Sequence, residues 1–386
     1  MRLLIVGLNY APEPVGIGPY TSGMAEALAL RGWDVDVVAG QPYYPQWHRY
    51  PGFGGLWRTS IENGVSIVRC AHYVPAHPSG WRRIVHLASF AASALLPALR
   101  RALRKPDIVL CVAPALLSVP VGRLAASLAG AKLWIHLQDF EVEAAFATGL
   151  VSQDGPVSRI ALGLENRLLR MADRVSTISP QMAARLLDKG INARRILEIR
   201  NWADDRFVRA GADGSAYRCE WNLGDRKVAL YSGNIANKQG IEILIEAARV
   251  LTPRPDIVLL ICGEGPNRSR LAELAKGLKN VQLQDLQPVE RMGELLALAD
   301  VHLLPQIPGA ADLVLPSKLT NMLASGRPVI ATAHPGSGLY EEVDGCGVVT
   351  APGDAVALAA ALAELADDPV RRTELGGAAR KRALAR

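Results

Sequence analysis

Cysteine is sparse in this 386-residue chain: there are five, at 70, 111, 219, 262 and 346, and none forms a CxxC pair. That spacing argues against a structural zinc site and points to a reducing setting. A long hydrophobic run is missing too. Residues 84–99, IVHLASFAASALLPAL, number sixteen and include a histidine, whereas a membrane span takes roughly 20 apolar residues. The N-terminus enters a strand directly, without a cleavable-signal pattern. Neither a low-complexity tract nor a collagen-like glycine period occurs. A DxD stretch at a suitable strand exit is also lacking, so a bound metal is not required. The ADD at 203–205 falls between the two halves, and ADDP at 366–369 falls in a surface turn.

What is present is enough apolar residue, 49%, for a folded protein, and enough length for two domains of similar size. The formal net charge is +6, and one segment accounts for all of it. Residues 81–105 carry Arg82, Arg83, Arg100, Arg101, Arg104 and Lys105 and no acid. Such a segment is either an ordinary domain helix with basic ends or a cationic apolar helix lying in a membrane interface. In the second case Trp81, Leu87, Phe90, Leu95 and Leu96 would enter the lipid. One local excess without an aromatic stacking motif does not suit nucleic acid.

Strand and helix patterns alternate twice. In the first series 3–8, 34–39, 108–112, 133–137 and 174–178 are short β-branched runs separated by helical stretches. A second series starts near Lys227 with KVALYSGNI and continues through DIVLLICGEGP, VQLQDL, VHLLPQI and RPVIAT. The pattern predicts an α/β chain with two doubly wound, mostly parallel sheets, in domains 1–200 and 201–386. Ligands of such sheets collect beyond the carboxyl ends of the strands, here in a cleft between the domains. A catalytic Tyr-x-x-x-Lys, which a sugar-phosphate epimerase would need, has no convincing context. The chain ends in ELGGAARKRALAR, with no long helix after it to tie the domains together.

Glycine marks the candidate phosphate sites. Gly16 and Gly18 lie where the first strand feeds the first helix, in APEPVGIGPY; they serve either the turn or a ligand approaching the backbone. This is not a GxGxxG fingerprint. Gly233 and Gly240 bracket a loop that carries Lys238, either a diphosphate partner or a solvated lysine. Gly263 and Gly265, in CGEGP, form a third glycine-rich strand exit, or a simple backbone crossing. The strongest stretch is 311–331. Ser317 suits an N-cap, Lys318 lies in the first turn of a helix over 318–325, and Lys318 and Asn321 share a helical face. One would meet phosphate oxygens and the other a ribose or base.

The runs GLNYAPEPVGIGPYT, QPYYPQW, WIHLQDFEVEAA, YSGNIANKQG and DLVLPSKLTNMLASGRP, in this order across both halves, resemble the retaining GT-B glycosyltransferases of family 4. The resemblance is greatest to the group that builds colanic acid and other bacterial exopolysaccharides. It implies a GT-B fold, two facing Rossmann-like domains, the second binding a nucleotide-sugar donor and the first shaping the acceptor site. The family's paired glutamates fall on Leu313 (beside Asp312) and Asn321, so they are absent as such. Its arginine and lysine positions fall on Asn234 and Gln239, with Lys238 one residue away. His136 resembles a donor-sugar contact, the alternative being a satisfied buried histidine, and Asp139 either orients an acceptor hydroxyl or caps the next helix. Lys238 and Lys318 would then stabilise the leaving diphosphate. The resemblance further implies GDP-fucose or GDP-mannose as donor, with UDP-sugars the alternative. It implies no tightly bound cofactor, an undecaprenyl-diphosphate-linked saccharide as acceptor, and a peripheral place on the cytoplasmic face of the inner membrane. A noncatalytic membrane assembly protein is the different-class alternative.

Overall fold

The computed structural model describes residues 1–77, 80–140, 155–203, 208, 211–235, 239–307 and 316–385. The chain divides into two compact units, Met1–Arg200 and Asn201–Arg386. Each is built on aliphatic strands that are buried on both faces, as parallel strands covered by helices must be.

In the first unit the strands are β1 (Arg2–Gly7), β2 (Asp34–Gly40), β3 (Trp57–Glu62), β4 (Val65–Cys70), β5 (Ile108–Ala113), β6 (Lys132–Leu137), β7 (Arg174–Thr177) and β8 (Ile196–Glu198). Their order is β3-β4-β2-β1-β5-β6-β7-β8, parallel apart from β3. Leu3 pairs with Val35 on one side and Ile108 on the other, so the order reverses across β1 and β5. The loop APEPVGIGPY leaves β1 at this switch point. The β3–β4 hairpin is an addition to the sequence expectation. Its signal is Asn63-Gly64, both with positive φ (50° and 80°), the two-residue turn whose twist matches paired strands.

The second unit holds β9 (Lys227–Ser232), β10 (Ile257–Cys262), β11 (Val281–Gln284), β12 (Val301–Leu304), β13 (Val329–Thr332) and β14 (Gly347–Thr350). All are parallel, in the order β11-β10-β9-β12-β13-β14. The switch point lies between β9 and β12, so ligand geometry is expected at the exits of those strands. Residues 374–385, ELGGAARKRALA, lie within a helix, Pro369–Ala385, that packs on this unit. Arg380 bonds the carbonyl of Ala324, and a Cβ on Gly376 would strike the Gly326 oxygen.

The basic segment forms the helix Gly80–Ala102. Its inner face buries His86, Leu87, Phe90, Ala94, Pro97 and Ala98. Leu87 and Phe90, expected to enter lipid, are therefore core residues. The outer face leaves Trp81, Ile84, Val85, Ala88, Ala92, Leu95 and Leu96 exposed, at the three- and four-residue spacing of a single stripe. Two of the six cations are also paired with a buried acid. Asp36, 1% exposed on β2, accepts from Arg101 at 2.6 Å and Arg104 at 2.8 Å. Among the described residues no helix is long and apolar enough to cross a membrane.

Burial raises the Asp36 pKa, while the two guanidinium groups hold it down. Removing the charge takes from Arg101 its carboxylate contact at 2.6 Å and leaves Arg104 with Asp34, at 3.3 Å. Asp36→Asn is expected to lower the unfolding free energy by about 2 kcal/mol, measured by urea denaturation. An unchanged midpoint would remove this anchor from the account of how the helix is seated.

Candidate functional site

At the switch point of the second unit the chain packs backbone on backbone. Beyond β9 and β10 the two exits continue to pair: Gly233 N–H donates to the Cys262 carbonyl at 2.9 Å, and Ile235 N–H to that of Glu264 at 2.8 Å. Side chains have no room here. A Cβ on Gly263 would lie 1.9 Å from the Gly233 oxygen, and one on Gly265 (φ +152°) 2.3 Å from the Ile235 oxygen. Both glycines are therefore required by the crossing of the two loops.

Lys318 begins the helix Lys318–Ala324 and reaches back to this crossing. Its ammonium sits 4.0 Å from the ring centroid of Tyr231, donates to the Tyr231 oxygen, and lies 3.5 Å from the Asn234 carbonyl. Gly233, at φ +126°, leaves the space: a Cβ there would be 2.7 Å from Lys318 Cε. Ser317 stands at the N-cap position in helical conformation and makes no capping hydrogen bond with its side chain, contrary to expectation. Asn321, three residues along, donates from Nδ2 to the Met292 sulfur at 3.4 Å, and its buried Oδ1 has no hydrogen-bond partner.

In the first unit the glycines of APEPVGIGPY are used by the fold itself. Gly16 has φ +74° and lies under the Tyr44 ring, 3.2 Å from a would-be Cβ; Gly18 packs on Glu13 at 3.1 Å. Glu13 was not foreseen. It is 3% exposed, and its Oε1 accepts from the N–H groups of Tyr43 and Tyr44 at 2.9 and 3.0 Å, its Oε2 from Asn9 at 2.8 Å. One carboxylate thus ties the β1 exit to the aromatic loop. That loop closes on the helix Gly80–Ala102 through edge contacts among Tyr43, Trp47, His72 and His86.

His136 lies at the end of β6, 5% exposed. Gln138 Nε2 donates to its Nε2 at 2.9 Å, so the ring proton is on Nδ1 and is donated to Ser176 Oγ at 2.8 Å; Trp134 Nε1 donates to the same oxygen at 2.9 Å. Both ring nitrogens thus have internal partners, which favours the satisfied buried histidine over the sugar contact. Asp139, half-buried, stands two residues beyond β6.

With this geometry the chain can be set beside known proteins. Residues 15–202 match the family model described as glycosyl transferase 4-like domain, and residues 216–382 match glycosyl transferases group 1. The colanic acid biosynthesis glycosyl transferase WcaI of Escherichia coli K12 is 42% identical over 342 residues, 86% of this chain and 84% of that protein. The chain belongs to the 4-like family of glycosyltransferases. Among solved structures, sucrose-phosphate synthase from Thermosynechococcus elongatus has a TM-score of 0.77 at 20% identity, covering 100% of this chain and 94% of that one. HepE of Anabaena, in complex with UDP-glucose, has a TM-score of 0.70 at 18% identity, covering 100% and 95%. The fold is GT-B.

Of the expected site residues, the transferase brings together Gly233, Asn234, Gly263, Gly265 and Lys318, with Ser317 and Asn321 on the same short helix. Lys318 and Asn321 reach different partners, Tyr231 and Met292. Lys238, Asp312 and Leu313 lie outside the described residues. Asn234, at the family's arginine position, meets Lys318 with its backbone carbonyl. Among the described residues no group of three or more His, Cys, Asp or Glu is placed to hold a metal ion. Tyr231 went unnoticed in sequence because an aromatic residue in a strand ordinarily signals only core.

Burial pushes the His136 pKa down to about 4, and those of His72 and His302 to about 4 and about 3. Folded His136 refuses a proton that the unfolded chain takes near the ordinary value of about 6.5. Its contribution is therefore complete above that value and lost as pH falls toward 4. One such ring removes about 2 kcal/mol by pH 5. The expected result is a melting temperature that falls between pH 7 and pH 5, with a shallower fall in His136→Asn. Equal slopes would show that the ring is not held neutral.

Proposed function

We propose that the transferase moves a sugar from a UDP-sugar to a hydroxyl of a lipid-linked saccharide, with retention of anomeric configuration, in exopolysaccharide synthesis. The observation that carries the donor side is the Lys318 ammonium held at the β9–β12 switch point beside Gly233. As the bond to the leaving diphosphate breaks, negative charge grows on its oxygens, and a fixed cation there favours the transition state over the ground state. The donor phosphate itself takes the acceptor proton, so no separate carboxylate base is invoked. The buried, unpartnered Oδ1 of Asn321 suits one ribose hydroxyl, a bond that amide and carboxylate make alike. In this reading the second unit holds the donor and the first the acceptor. HepE's complex with UDP-glucose supports a UDP-sugar over the GDP-fucose or GDP-mannose first expected from sequence.

The acceptor side rests on the helix Gly80–Ala102. Its outward stripe, with Trp81 66% and Ile84 61% exposed, suits the boundary between headgroups and acyl chains. Arg82, Arg83, Arg100 and Lys105 flank it and suit anionic headgroups. The supported location is peripheral, on the cytoplasmic face of the inner membrane, where an undecaprenyl-diphosphate-linked saccharide is within reach.

Calorimetry with UDP, GDP and CDP, with and without magnesium, tests the donor. UDP is expected to bind most tightly, without magnesium, and Lys318→Ala to weaken it by about 1.5–3 kcal/mol, the usual worth of a hydrogen bond to a charged group. Tighter binding of GDP would return the assignment to GDP-sugars; binding of none would sink the donor site. Co-sedimentation tests the surface. The wild type is expected to pellet with phosphatidylglycerol-containing vesicles more than with neutral ones, and the double variant W81S/I84S to bind about tenfold less. Equal pelleting of both proteins would show that the stripe does not face lipid.

A further inference from the structure

The reach of Lys318 is the least expected feature of the donor side. A lysine side chain is long and rotamer-rich, and an exposed one sweeps a large volume. Here it is confined from several directions. The Tyr231 ring lies under the ammonium at 4.0 Å, the Tyr231 oxygen accepts from it, and Gly233, without a side chain, leaves the space that Cε occupies. Tyr231 is itself immobile: it is 0% exposed, and its hydroxyl donates to the Asn234 carbonyl at 2.7 Å. Because that proton points to Asn234, the lone pairs of the phenol oxygen face the lysine.

We infer that Tyr231 is a positioning residue that holds the Lys318 ammonium ready for the donor diphosphate. The inference rests on the reading of Lys318 as a diphosphate contact. The choice of residue has a chemical logic. A carboxylate in this place would hold the lysine as firmly and cancel its charge. A phenol holds it through a neutral oxygen and a π face and adds no negative charge of its own. Burial raises the Tyr231 pKa, so the phenol stays neutral beside the cation.

The test compares the full chain with Tyr231→Phe, Lys318→Ala and the double variant. Each is titrated with UDP and uridine, and with GDP and guanosine; the pair the wild type prefers is used. Phenylalanine keeps the ring and removes the oxygen, so the fold is expected to survive. Gly233→Ala, which crowds Lys318 without touching Tyr231, is the second route to the same displacement. The expected result is that Tyr231→Phe weakens the diphosphate about five- to tenfold, leaves the nucleoside unchanged, and adds nothing in the Lys318→Ala background. If Lys318→Ala weakens the diphosphate and Tyr231→Phe does not, the positioning role is wrong and the lysine contact stands. Equal loss for nucleoside and diphosphate, or a loss that persists without Lys318, would mark Tyr231 as merely structural and overturn the inference. If Lys318→Ala leaves the ratio of diphosphate to nucleoside affinity unchanged, or no diphosphate binds, the lysine contact itself falls and the inference with it.

Discussion

Two strand exits in the second unit run closer together than any side chain permits. The Gly233 oxygen sits where a Cβ of residue 263 would be, and the Ile235 oxygen where one of residue 265 would press. This contact sets the arrangement around Lys318. It lets the β9 and β10 exits keep pairing beyond the sheet, brings Asn234 O over the Tyr231 hydroxyl, and opens the gap that Lys318 fills. The first unit solves a similar problem differently. Its β1 exit is held by the buried Glu13 carboxylate, which gathers three N–H donors from two loops. Backbone contact fixes one strand exit and a buried ion fixes the other.

Charge is distributed with the same economy. The +6 excess of the whole chain resides in six residues around one helix, and the fold consumes two of them on Asp36. Buried histidines stay neutral, because burial outweighs their hydrogen bonds. Outside residues 81–105, Lys and Arg are matched in number by Asp and Glu. Tyr231 meets the Lys318 cation with a neutral oxygen and a ring face.

The alternation of aliphatic runs with helical stretches was enough to place two parallel sheets, because a strand buried on both faces leaves a continuous apolar signature. Asn63-Gly64 carried the β3–β4 hairpin just as plainly, yet β3 is largely exposed and polar, and so blends with loop. Site residues were harder. Glycine at 233, 263 and 265 marks close approach in sequence, but what approaches, ligand or backbone, depends on contacts between residues about thirty apart. His136 illustrates the limit. Its partner Ser176 comes from pairing of β6 with β7, a register no local pattern specifies. The same applies to Leu87 and Phe90: apolar residues on both sides of one helix cannot be assigned inward or outward from composition.

That helix has a consequence for how the sequence can change. Its inward positions answer to shape, since Phe90 and Ala94 are wholly enclosed and tolerate little variation in volume. Its outward positions answer only to polarity and to what lies beyond the fold. Two independent selection pressures thus act on alternate residues of one continuous segment. Among descendants, the inner row should exchange residues rarely and in size-matched pairs, while the outer row should wander freely among apolar types. A lineage whose outer row turned polar with the inner row intact would be one that had given up the surface and kept the fold.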